Sequence, residues 1–135
     1  MLNEPKWLSA QDLTELNEGL VPNHLILDVN RVENAIAAPQ QLFVYGEHVD
    51  LVILAVRLLE SVARGHAFED GNKRTAWLAA GSFLQINGCV FAPPDSEKTA
   101  KWVEQLVMRE LTLDDVVKLL RPFVVMPDAG PAAID

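Results

Sequence analysis

Between two apolar runs, residues 65–75 read GHAFEDGNKRT and gather a histidine, two carboxylates, glycine and asparagine turn formers and two adjacent cations. His66 can accept a proton near neutral pH. Gly71 and Asn72 stand where a helix is expected to open. The first N–H groups of a helix are unpaired and carry partial positive charge, so an anion can bind there, and glycine lets its oxygen come close to the backbone. Lys73 and Arg74 fall in the first turn, where the helix dipole disfavours a cation by about 0.3–1 kcal/mol each. A bound phosphate chain would reverse that sign. Asp70 offers a hard oxygen of the kind magnesium takes, with phosphates and water completing its shell. Phe68, set among these polar groups, is expected to be buried and to pin the loop to the core.

The same residues admit a plainer reading. Glu69 and Asp70 could neutralise Lys73 and Arg74 in a solvated helix cap, since surface ion pairs are common and contribute little. His66 weighs against this, being a proton acceptor beside a candidate phosphate cradle. Zinc is not favoured: neither Cys89 nor a second histidine lies at metal-site spacing from His66 and Asp70. The motif is not a P-loop either, since G-x-x-x-x-G-K-[ST] is absent.

Apolar periodicity gives the elements that must hold this loop. Ser9 with Asp12 marks a helix start, and Leu13, Leu16 and Leu20 recur at helical spacing up to a stop at Gly19 and Pro22. VPNHLILDVN breaks that period and reads as an extended flap. Asn30 is the expected cap of a helix RVENAIAA that ends before Pro39, and QQLFVYGEH reads as a loop with a turn at Gly46. From about Glu47 to Arg64 the residues are apolar nearly all round, with Asp50, Arg57, Glu60, Ser61 and Arg64 as a narrow polar stripe. This predicts a buried central helix that stops at a left-handed Gly65. A further helix opens at the motif, carries Ala76, Trp77, Ala80, Phe83, Leu84 and Ile86, and ends at Asn87-Gly88. DSEKTAKWVEQLVMREL and TLDDVVKLLRPF give two more amphipathic helices with capping-type starts. The expected fold is all-α: one helical bundle domain over residues 1–135, with a short β flap and a flexible tail at 126–135.

Composition narrows the function classes. A chain of 135 residues, half of them apolar and 22% charged, is long enough for one core. The net charge of -8 argues against direct nucleic-acid binding, which draws on phosphate neutralisation by Lys and Arg. The most apolar window, VDLVILAVRLLESVARG, is too short and too charged for a bilayer span, so no membrane association is expected. No basic-then-apolar leader opens the chain. The single cysteine, Cys89, reads as a small buried hydrophobe, and the whole fits a reducing cytoplasm.

HAFEDGNKRT also resembles the signature of the Fic/Doc superfamily, H-x-F-x-[DN]-[AG]-N-[GK]-R, and its lysine resembles the Doc branch, the death-on-curing toxins. ENAIAAPQ, YGE and FLQING are similar to flanking segments of Doc-like proteins, so the resemblance covers roughly residues 8–122. It implies His66 as general base, Asp70 as magnesium ligand, Gly71, Asn72 and Lys73 as the cradle of the ATP phosphates, Arg74 on the far phosphate and Phe68 as loop anchor. Fic proteins with a small residue in place of Lys73 transfer AMP to a hydroxyl. Doc toxins are described as protein kinases that phosphorylate elongation factor Tu on a threonine. The bulk and charge of Lys73 would turn the nucleotide round, with its γ-phosphorus facing the acceptor.

The resemblance therefore implies a toxin kinase of a toxin–antitoxin pair, restrained by a Phd-like antitoxin. The alternatives are an AMP-transferase and a catalytically silent partner-binding module. VPNHLILDVN aligns with the family's target-binding flap, in which His24 is more simply an ordinary surface residue. TELNEG fits the family's inhibitory pattern loosely and would set Glu18 against Arg74.

Overall fold

The computed structural model describes residues 3–127. Among these residues there are six α-helices, a 3-10 turn at Arg121–Phe123 and a pair of two-residue strands, so the fold is all-α as expected. Helix α1 (Ala10–Leu20) opens at Ser9, whose hydroxyl accepts from the Asp12 N–H at 3.0 Å while the Asp12 carboxylate accepts from the Ser9 N–H at 2.8 Å. These reciprocal bonds satisfy two donors that would otherwise be orphaned.

Helix α2 (Val29–Tyr45) differs from expectation at both ends. Its cap is Asp28 rather than Asn30, with the Asn30 N–H donating to the Asp28 carboxylate at 2.9 Å. It also runs through Pro39, so residues 40–45, expected as loop, are helical. Proline has no N–H to give the carbonyl four residues earlier, that of Ala35. The Ser61 hydroxyl from the next helix donates to that carbonyl at 2.7 Å and replaces the missing bond.

Helix α3 (Leu51–Gly65) is capped by Asp50, which accepts from the Ile53 N–H at 3.0 Å, and so begins later than the hydrophobic pattern does. Its buried residues include Val52, Leu54, Val56 and Leu59. Helices α2, α4 (Asn72–Ile86), α5 (Ser96–Val107) and α6 (Leu113–Leu120) all pack on it. Along its polar stripe Glu60 pairs with Arg57 at 3.0 Å and with Arg64 at 2.8 Å, and Arg64 also donates to the Leu106 carbonyl in the last turn of α5. Gly65 stays helical. The left-handed residue is His66, at φ 50° and ψ 41°.

Strands β1 (Val90–Phe91) and β2 (Val124–Val125) pair antiparallel and clip the end of α4 to the chain after α6. The flap at residues 21–28 carries no strand of its own. It makes one antiparallel bridge, Ile26 with Phe68, flanked by bonds from the Leu27 N–H to the Ala67 carbonyl at 2.8 Å and from the Glu69 N–H to the Leu25 carbonyl at 3.0 Å. One hydrophobic cluster extends from Leu8 to Leu120 and includes Phe68 and Cys89. Of the tail expected from residue 126, residues 128–135 lie outside the described residues.

Asp50 also binds Arg121, at 2.6 Å, tying the start of α3 to the end of α6. Burial works to raise its pKa, but hydrogen bonds from Arg121 and from the Ile53 and Val52 N–H groups, with the Arg121 charge, outweigh it and hold the carboxyl below its ordinary 3.8. Asp115 is likewise lowered by its bonds with the Thr112 backbone and hydroxyl. A depressed carboxylate adds stability that is complete above the unfolded pKa and is lost as pH falls through the folded one. The folded chain should therefore lose stability progressively below about pH 4. Asp50→Asn should lower stability at pH 7 by up to about 1 kcal/mol and flatten that acid slope, as read from urea unfolding at pH 3–7.

Ser61→Ala should cost about 1–3 kcal/mol in the same assay by orphaning the Ala35 carbonyl. Pro39→Ala, which restores an N–H, should remove most of that cost in the double variant. Equal losses in both backgrounds would show that the hydroxyl does not serve this carbonyl.

Candidate active site

The loop from His66 to Gly71 leaves the C-terminus of α3 and enters α4, and its shape comes from bonds the sequence does not announce. A left-handed non-glycine residue costs of order 1–3 kcal/mol and persists only where its surroundings hold it. The His66 carbonyl accepts from the Arg31 guanidinium at 3.2 Å, and the next two residues, Ala67 and Phe68, are buried against the core and stitched to the flap. The imidazole is consequently left at the surface, with no described residue hydrogen-bonded to it.

Phe68 is 1% exposed, as its expected anchoring role requires. The Asn72 side chain closes the loop around it, with Oδ1 accepting from the Phe68 N–H at 3.2 Å and Nδ2 donating to the Phe68 carbonyl at 2.8 Å. Asn72 thus has its backbone N–H, rather than its amide, to offer an anion. Gly71 adopts φ 77°, and a Cβ there would lie 2.8 Å from Val21 Cγ2, so both conformation and space call for glycine. The Gly71 N–H donates to the Asp70 carboxylate at 2.7 Å.

Each of α1, α2, α3, α5 and α6 has a side chain from Ser9, Asp28, Asp50, Asp95 or Thr112 over its first N–H groups. Helix α4 begins at Gly71 with no side-chain cap. The N–H groups of its first turn therefore face the site, beside the exposed side chains of Lys73 and Arg74. Among the described residues no salt bridge joins Glu69 or Asp70 to either cation, and all four side chains are exposed.

His66, Glu69, Asp70, Gly71, Asn72, Lys73 and Arg74 line one groove of about 410 Å³, with Ala63 and Val107 on its apolar side. A wider groove of about 630 Å³ continues past Lys73 and Arg74 along Leu20, Trp77, Leu78 and Val103. Among the described residues no cluster of three or more His, Cys, Asp or Glu could hold a metal ion. The lone Asp70 carboxylate, one oxygen of which is engaged by Gly71, has the donor chemistry for a hard ion whose other ligands are phosphates and water.

Sequence patterning missed three positions. Asn17 is buried within α1, where its amide donates to the Asp70 carbonyl at 2.9 Å and to the Thr75 hydroxyl at 3.0 Å. The available signal was its place four residues after Leu13, a polar residue on an apolar stripe. Thr75, fully buried, and Arg31, which holds the His66 carbonyl, gave no such signal. His24 is partly buried, with its ring 5.7 Å from that of Phe68 and Nδ1 2.5 Å from Asn17 Oδ1. Glu18 lies 3.9 Å from His24 Nε2, and among the described residues it makes no salt bridge to Arg74. No helix among the described residues is long and apolar enough to cross a membrane.

The family model described as Fic/DOC family matches residues 7–84, a span that holds α1, the flap, α2, α3, the loop and most of α4. The chain is 37% identical over 108 residues to the Toxin Doc of Mycolicibacterium smegmatis, covering 78% of this chain and 82% of that protein. It is also 37% identical over 119 residues to the Protein kinase doc of Escherichia phage P1, covering 84% of this chain and 92% of that one. With the motif, the exposed histidine and the uncapped helix in the geometry described, the chain belongs to the Fic/DOC family as a Doc-like member.

Proposed function

We propose that this protein is the toxin of a toxin–antitoxin pair and transfers the γ-phosphoryl group of ATP to a hydroxyl side chain of a target protein. Elongation factor Tu is the candidate target, a Phd-like antitoxin the restraint and the cytoplasm the setting. The observation that carries the chemistry is the pair Lys73 and Arg74, exposed in the first turn of an uncapped helix and sharing a groove with His66 and Asp70. Cations held at a helix N-terminus are electrostatically out of place until a polyanion occupies it. The names of the two relatives, Toxin Doc and Protein kinase doc, support the direction of the proposal.

In the step proposed, the acceptor hydroxyl oxygen forms a bond to the γ-phosphorus, the bond from that phosphorus to the β–γ bridging oxygen breaks, and ADP leaves with the electron pair. His66 takes the proton of the attacking hydroxyl. The open N–H groups of the first turn, with Lys73 and Arg74, hold the phosphates in place and balance their charge, the main work a protein does in phosphoryl transfer. Magnesium, when bound, supplies further neutralisation of the phosphates, and Asp70 is the residue that would hold it. Lys73 favours γ-transfer over AMP transfer because its side chain occupies space and places charge where a phosphate would otherwise meet bare backbone.

Incubation of elongation factor Tu with the protein, magnesium and ATP should add about 80 mass units, against about 329 for AMP, by intact-mass spectrometry. His66→Ala should abolish the increment. Gly71→Ala should slow transfer by roughly 10²-fold, because the turn that places the carboxylate and the cradle must shift. An AMP increment would overturn the phosphotransferase reading in favour of adenylylation. No increment on elongation factor Tu would remove it as the target.

A further inference from the structure

We propose that Asn17 is a positioning residue that sets the Asp70 carboxylate through a single peptide plane. The proposal rests on the reading of Asp70 as the side chain that meets magnesium bound with ATP.

Asn17 is 1% exposed, and a buried amide at this site has little reason to be polar unless its bonds matter. Its orientation is determined. The Asp70 carbonyl can only accept, so the atom 2.9 Å from it is the Nδ2 donor, which also donates to Thr75 Oγ1 at 3.0 Å. Oδ1 is then the acceptor facing His24 Nδ1 at 2.5 Å, and that ring nitrogen carries the hydrogen. One amide thereby joins α1, the flap, the motif loop and the first turn of α4.

Its effect on the site follows from peptide geometry. In a trans peptide the C=O and the next N–H point in opposite directions. With the Asp70 carbonyl drawn inward to Asn17, the Gly71 N–H must face outward, where it binds Asp70's own carboxylate at 2.7 Å. Asn17 therefore restrains a carboxylate it never touches, leaving the other carboxylate oxygen for the groove. Gly71 completes the arrangement, since a Cβ there would come within 3.3 Å of Asn17 Nδ2.

Asn17→Asp keeps volume and the His24 contact while replacing the donor to Asp70 with an oxygen; Asn17→Ala removes all the bonds. Thr75→Val removes one Asn17 partner and leaves the Asp70 bond. Two measurements on the full chain separate positioning from simple stability. In ligand-free protein, the NMR resonance of the Gly71 amide proton should move upfield in both Asn17 variants and stay near its native place in Thr75→Val. In calorimetric titrations with ATP, the dependence on magnesium chloride should weaken by roughly 10–100-fold in the Asn17 variants, the range typical when a group orienting a metal ligand is removed. Thr75→Val should bind as the native chain does.

If Asn17→Ala fails to fold, Asn17→Asp carries both measurements. An unmoved Gly71 resonance with native magnesium dependence in Asn17→Asp, even with a lowered melting temperature, would overturn the proposal. If the native chain shows no magnesium-dependent ATP binding, the reading of the active site fails instead, and the Gly71 resonance alone decides whether Asn17 orients the Asp70–Gly71 turn.

Discussion

Most of α3 is buried, and the Glu60 pairs with Arg57 and Arg64 occupy its polar stripe, so the groups that could do chemistry stand where that helix ends. Four other helices pack on it, and the chain leaves its C-terminus at His66 in a left-handed conformation. That reversal turns the imidazole outward while Ala67 and Phe68 re-enter the core. The candidate base His66 and Phe68 lie two residues apart, the one exposed and the other buried. The flap bridge at Ile26 and the Asn72 amide hold Phe68 from two sides, so the exposed groups hang from a rigid frame.

The start of α4 is the electrostatic counterpart of that frame. Elsewhere the chain spends Ser, Thr and Asp side chains on covering helix N-termini, and at α4 it leaves the first turn open and adds Lys73 and Arg74. In isolation this is unfavourable, since the dipole and the cations repel. Local conflicts of this kind are characteristic of functional sites, where stability is given up for readiness to bind. The chain carries a net charge of -8, so Lys73 and Arg74 side by side at an open helix N-terminus stand out against an acidic background.

Two departures from the sequence reading share a cause. Pro39 is a helix breaker by its own chemistry, yet α2 continues because Ser61, from another helix, satisfies the carbonyl that proline cannot. Gly65 is the better left-handed residue, yet His66 takes that conformation because Arg31 and the buried neighbours hold it there. In each case a partner distant in sequence outweighed a local preference of a few kcal/mol or less. Ser61 was visible as part of a polar stripe and Asn17 as a polar residue on an apolar one. What neither stripe revealed was which backbone group each side chain would meet.

Local chemistry was enough to read the helical class, the caps at Ser9 and Thr112, the burial of α3 and the motif with its candidate base, carboxylate and cradle. These depend on periodicity, capping propensity and residue type, all of which act within a few positions along the chain. Tertiary structure alone decided the passage of α2 through Pro39, the strand pair at residues 90–91 and 124–125, the left-handed turn at His66 and the hydrogen-bond partners of Asn17. Each of these joins residues far apart in sequence through one hydrogen bond or contact. Such bonds follow from packing in three dimensions, and no short-range pattern encodes the partner.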